Sequence, residues 1–190
     1  MSSDERYYET FYGIYTDDWE IDGRWNIPNH HFILVKDYPS DACSTTSDST
    51  WGSSATIFLY PHNIKKTYLL EGVVEGQITF HAKTAYSYVS DYRVTIVKIH
   101  EDTTETELAT TGIVVVNDAI AYDAEWHTGD DIVYPFWIDV FDEAQEITEK
   151  ERIGVKIEWD VGNSSSVTAT MMHDNDSSFE DLKITLPFLL

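Results

Sequence analysis

The residues of this chain that could bind a ligand or move a proton are mostly carboxylates. The densest run is His173-Asp174-Asn175-Asp176 followed by Glu180-Asp181. Calcium takes about six to eight oxygen ligands, so Asp174, Asp176 and Asp181 are the candidate metal ligands. Their spacing lacks the EF-hand pattern, and the plainer reading is a solvated acidic loop before the last strand. Asp17-Asp18 and Asp130-Asp131 read the same way. His30 and His31 are adjacent, and neighbours in a strand point to opposite faces, so they cannot chelate one ion together. His62, His81, His100, His127 and His173 stand singly, as surface or strand-edge histidines, without the spacing of zinc sites.

Nucleophilic chemistry finds no support in the sequence. There is no G-x-S-x-G, and Ser164–Ser166 sit in a turn. Cys43 is the lone cysteine, which excludes an intrachain disulfide framework and a cysteine-rich zinc site. It lies in a Ser/Thr loop with no histidine or basic neighbour to lower its pKa. Glycoside hydrolysis needs two carboxyls about 5–10 Å apart in a cleft. With 34 acidic residues chance pairs are certain, so the sequence nominates none. The expectation is no catalytic residue, no cofactor and no enzymatic role.

Six Trp and twelve Tyr raise a different chemistry, because an aromatic face can stack on a pyranose ring. Trp137 and Trp159 fall within strands and read as core. Trp126 sits at a turn, and Trp19, Trp25 and Trp51 lie in the first 54 residues. Aromatics at a chain end more often anchor a protein interface. On that reading the anchors are Tyr7, Tyr8, Phe11, Tyr12, Trp19 and Trp25, with Phe188 and Leu190 at the apolar C-terminus. The sequon Asn163-Ser164-Ser165 reads as a chance match.

The elements that must position these residues are strands. Ile153, Val155, Ile157 and Trp159 alternate with polar or small residues, as do Ile78, Phe80 and Ala82, and Val167, Ala169 and Met171. A period of two with one apolar face is a half-buried strand. Tyr92–His100 and Tyr134–Phe141 read as strands from β-branched and aromatic content, and Ala55–Tyr60 and Gly112–Val116 as shorter ones. Turn residues fall at Glu71-Gly72, Glu101–Thr104, Asn117-Asp118, Thr128–Asp131 and Gly162–Ser165. Asp142–Arg152 is the best helical candidate, with a turn or loop as the other choice. The fold class is all-β, an antiparallel jelly-roll-like sandwich. Residues 55–190 form the sandwich domain, and residues 1–54 form an N-terminal aromatic arm or elaborated first hairpin in which only His31–Lys36 looks like a strand.

Charge bounds the partners. Twelve Lys+Arg against 34 Asp+Glu give −22 at pH 7. Nucleic acid and anionic membrane surfaces need clustered cations, so neither is expected as a partner. Such a surface suits a high-salt host, where screening removes self-repulsion; an ordinary acidic protein in low salt is the other choice. No run reaches about 18 apolar residues, so no membrane span is expected. The N-terminus lacks a basic segment followed by an apolar one, so no secretory signal is expected and assembly in a cytoplasm is.

Three segments carry a resemblance. The first runs from Ala55 through Lys83, with Leu70, Gly72, Val74, Ile78, Phe80 and Ala82 as its markers. The second is the hairpin YRVTIVKIHEDTTETELATTG, where Thr103-Thr104 replace the glycine usual in such modules. The third is the close from Arg152, marked by Val155, Ile157, Val167, Ser178, Ile184, Thr185 and Pro187. Together they resemble jelly-roll modules of virion structural proteins from tailed bacteriophages and archaeal viruses. A related pattern occurs in carbohydrate-binding-like and peptidase-appended jelly rolls. The resemblance implies a capsid decoration, turret or minor capsid protein, located in the virion and assembled in the host cytoplasm. Its expected partners are other virion proteins or copies of itself. The alternative is a carbohydrate- or receptor-binding sandwich that stacks a glycan on Trp19, Trp25, Trp51 or Trp126.

Overall fold

A computed structural model describes residues 6–15, 32–36, 47–50, 52–60, 65–82, 89–116, 131–140, 144–161, 168–172 and 182–189. Its strands are β1 (Arg6–Tyr15), β2 (Phe32–Val35), β3 (Ser47–Thr50), β4 (Gly52–Leu59), β5 (Tyr68–Leu70), β6 (Val73–Ala82) and β7 (Val89–Ile99). They continue with β8 (Glu105–Thr110), β9 (Val114–Val115), β10 (Asp131–Asp139), β11 (Gln145–Ile147), β12 (Arg152–Val161), β13 (Thr168–Met172) and β14 (Leu182–Leu189). Among the described residues there is no helix.

Alternation decides how these strands stack. In β12, Ile153, Val155, Ile157 and Trp159 are buried, as the period of two requires. β12 pairs β4 on one edge and β7 on the other, and β7 continues to β8 and β9. These strands make one layer. In the other, β10 pairs β6 along its length, from Asp131↔His81 to Asp139↔Val73. The second edge of β6 pairs β14 and β13, β14 pairs β1, and β1 pairs β2. A parallel contact at Ile33↔Leu59 joins the layers at their margin. The result is an antiparallel β sandwich, the expected class.

The core fills the space between the layers. Phe11, Val74, Ile78, Phe80, Phe136, Ile138, Ile184, Leu186 and Phe188 meet Tyr92, Val94, Ile96, Val155, Ile157 and Trp159. Rings cross the gap: Phe80 lies 5.6 Å from Trp159, and Tyr92 lies 5.5 Å from Tyr134. Each such side chain contributes about 1.5–3 kcal/mol on burial. Gly76 makes room for one of them. A Cβ there would fall 2.4 Å from Phe136 Cζ and 2.6 Å from the Lys183 carbonyl oxygen.

Three local expectations are corrected. Asp142–Arg152 holds no helix among its described residues; β11 occupies Gln145–Ile147 and pairs β5, because Ile147 is buried while Glu146 points outward. Residues 1–54 contain β1, β3 and the start of β4 besides the strand at Phe32–Val35. β1 was not legible because its apolar residues fall on both phases, Tyr7 and Phe11 on one and Tyr8 and Tyr12 on the other. Trp137 was expected in the core and is 71% exposed, because Phe136 and Ile138 take the inward positions of β10.

Candidate functional site

Two constellations of side chains stand out on the described surface. The first is the outer face of the layer formed by β10, β6, β14 and β1. The pairing register places Trp137, Glu75, Thr185 and Thr10 in one row across these four strands. The next row is Pro135, Gln77, Lys183 and Tyr12. Opposed residues in a sheet share a face. Trp137 is 71% exposed and Tyr8, one row further along β1, is 57% exposed. Between the aromatic residues lie hydroxyl, amide and charged groups, and the Thr10 and Thr185 hydroxyls hydrogen-bond each other at 2.9 Å.

β10 is the edge of this face, since among the described residues it pairs β6 alone. Pro135 sits in its middle without an N–H to donate. A proline in an edge strand blocks the addition of a further strand. A partner of this face therefore lies on it and does not extend it.

The second constellation is at the rim of the sandwich, where β7 turns into β8. His100 Nδ1 lies 3.0 Å from Glu151 Oε1, and His100 Nε2 lies 2.8 Å from Thr106 Oγ1. Glu151 Oε2 accepts from the Thr148 N–H at 2.7 Å, and Lys98 Nζ is 3.4 Å from Oε1. Burial alone would raise the Glu151 pKa, but the Thr148 hydrogen bonds and the Lys98 charge outweigh it and hold the carboxyl below its ordinary value. A hydroxyl, an imidazole and an anchored carboxylate in line can pass a proton from the hydroxyl to the ring. From the sequence alone His100 stands singly, as a surface or strand-edge histidine. The trio was illegible there because Glu151 reaches the β7–β8 hairpin only through the register Arg152↔Ile99.

The residues singled out from sequence have separate fates. Tyr7 and Tyr8 are exposed at 43% and 57%, and Tyr12 is half-buried. Phe11 and Phe188 are not surface anchors: both belong to the core, because the inward phases of β1 and β14 carry them there. Trp19, Trp25, Trp51, Trp126, Leu190 and the acidic run with Asp174, Asp176 and Asp181 lie outside the described residues. Among the described residues no group of three or more metal-ligating side chains converges.

No protein-family model matches the chain, and no curated protein matches it. Solved structures do. An aminopeptidase from the marine sediment archaeon Thaumarchaeota archaeon matches with a TM-score of 0.63 at 8% identity, over 97% of this chain and 37% of that one. A CocE/NonD family hydrolase from Staphylococcus aureus matches with a TM-score of 0.58 at 12% identity, again over 97% of this chain and 37% of that one. The VP2 subviral particle of infectious bursal disease virus matches at a TM-score of 0.29 and 15% identity, over 99% of this chain and 38% of that one. The chain thus spans little more than a third of each of these three structures, and the two hydrolase matches establish a shared fold. They also overturn the expectation of no enzymatic role. The folds that coincide with nearly the whole chain at TM-scores of 0.63 and 0.58 are those of hydrolases, so catalysis is not excluded by the kind of fold.

Proposed function

We propose that this chain is a docking module of a virion, a capsid decoration, turret or minor capsid component that works by protein–protein contact. The observation that supports this reading is a pair of exposed aliphatic residues at the margin of the layer formed by β4, β12, β7, β8 and β9. Ile113 and Val115 are 69% and 72% exposed, while Val114 between them packs on the core. β9, which carries Val114 and Val115, pairs β7 through Asp91↔Val115 and Tyr92↔Val114. Exposed aliphatic side chains on a chain of charge −22 are unfavourable in water and gain on being covered. The strand-and-turn pattern from Ala55 to Pro187 supports the virion as the setting. The test is a photo-crosslinking residue at Val115 in assembling particles. A crosslink to another particle protein supports the reading; purified particles that lack this polypeptide overturn it.

A second reading has its own observation. The Thr106–His100–Glu151 line, on a sandwich shared with hydrolases, favours a hydrolytic role or a place beside a hydrolase catalytic unit. Turnover of p-nitrophenyl acetate, lost in His100→Ala and in Thr106→Val but kept in Thr106→Ser, supports it. Turnover unchanged in His100→Ala removes His100 from any reaction.

A further inference from the structure

We infer that the outer face of the β10–β6–β14–β1 layer is a binding platform for a neutral oligosaccharide, centred on Trp137. This surface lies on a different layer from Ile113 and Val115, so the inference stands apart from the docking role above. It begins with exposure. A tryptophan 71% exposed within a strand leaves a large apolar ring in water, which a folded chain holds at some cost unless the ring is covered in use.

What covers it follows from the neighbours. Around Trp137 the face carries Glu75, Thr185 and Thr10 in its own row and Gln77, Lys183 and Tyr12 in the next. These side chains alternate flat rings with groups that donate and accept hydrogen bonds. A pyranose presents a matching surface: its C–H face stacks on a ring while its equatorial hydroxyls reach sideways. Tyr8 and Tyr12 stand on β1, three strand spacings from Trp137, which is about 14 Å. The platform is therefore long enough for an oligosaccharide lying across the strands.

Charge narrows the ligand further. Glu75 and Asp139 on this face meet Lys183, while Arg6 is ion-paired with Glu71 at 3.2 Å, so the platform stays acidic like the chain as a whole. A polyanionic glycan is repelled by the rest of the molecule, and a neutral one is not. A second copy of this chain would bring another −22, and Pro135 blocks strand addition at the edge. The platform differs from the sugar-stacking set expected from sequence, which did not include Trp137.

The test is titration of the full chain with cellohexaose, xylohexaose, mannohexaose and chitohexaose, read by tryptophan fluorescence and calorimetry. A heparin hexasaccharide serves as the polyanionic control. At least one neutral hexaose is expected to saturate, with affinity unchanged between low salt and about 1 M NaCl. Trp137→Ala is expected to weaken it about tenfold or more and Trp137→Phe much less, since a ring remains. Both variants are checked for an unchanged melting transition. Absence of saturable binding to all four hexaoses overturns the proposal. So does binding that Trp137→Ala leaves unchanged, or a Trp137→Ala variant that loses only a protein crosslink.

Discussion

His100 and Glu151 meet at 3.0 Å, although one follows β7 and the other precedes β12. The antiparallel register Arg152↔Ile99 brings them together, and the Thr148 N–H fixes the far oxygen of the carboxylate. The carboxyl titrates below its ordinary value near 4.5 once folded. A group whose folded pKa is depressed stabilises the fold fully above its unfolded pKa and loses that contribution as pH falls through the folded value. Melting temperature is therefore expected to drop on acidification below the ordinary value, and Glu151→Gln is expected to flatten that part of the profile. Equal slopes for the two proteins would show that the carboxylate contributes nothing there.

Gly76 is required by the ring it faces. Alanine at this position drives Cβ into Phe136 and the Lys183 carbonyl, and one of those contacts is backbone that cannot swing away. Gly76→Ala is expected to cost about 1–3 kcal/mol in urea unfolding. Adding Phe136→Leu should recover part of the loss by clearing the ring. No recovery in the double variant would place the strain at the carbonyl alone.

At the tip of the β7–β8 hairpin, Thr103 adopts a φ of +69°, a conformation that β-branched residues avoid. The turn holds it by a 2.9 Å bond from the Thr103 N–H to the His100 carbonyl, and Asp102 accepts from the Thr104 N–H at 3.0 Å. Thr103→Gly is expected to stabilise the chain by about 1 kcal/mol. A drop in stability would mean that the threonine side chain has a role at the tip that outweighs its backbone strain.

Phe11 and Tyr8 lie on opposite phases of one strand and should respond differently to truncation. Phe11 is 2% exposed and packs at 5.3 Å from the Tyr60 ring. Phe11→Ala is expected to cost about 3–5 kcal/mol, and Tyr8→Ala about 0.5 kcal/mol or less. The comparison is made by chemical denaturation of both variants. A small effect at Phe11 would make β1 a detachable arm.

These pairs show where the sequence was readable. The phase of β12 was plain, because Lys156 and Glu158 alternate with Val155, Ile157 and Trp159 and only one face can go inside. β10 offers no such choice: Ile132, Tyr134, Phe136 and Ile138 compete with Val133, Pro135 and Trp137. Which phase turns inward depends on Gly76 opposite Phe136, a contact between strands about sixty residues apart. The rim trio was hidden for the same reason, since spacing along the chain does not encode a register across a sheet. The resemblance read from the sequence is to virion modules, whereas the structures that share the sandwich at TM-scores of 0.63 and 0.58 are an aminopeptidase and a CocE/NonD family hydrolase. The expectation of no enzymatic role came from the lack of linear motifs, which a constellation assembled by pairing does not leave.

The pairing of β1 with β14 has one more consequence. Arg6 lies opposite Leu189, so the first and last described strands finish side by side, about 4.8 Å apart. Two strand ends at neighbouring positions can be joined by a short linker without stretching the polypeptide. The order of the strands along the polypeptide can then be changed, with a new break opened in another connection, while the sandwich keeps its pairing.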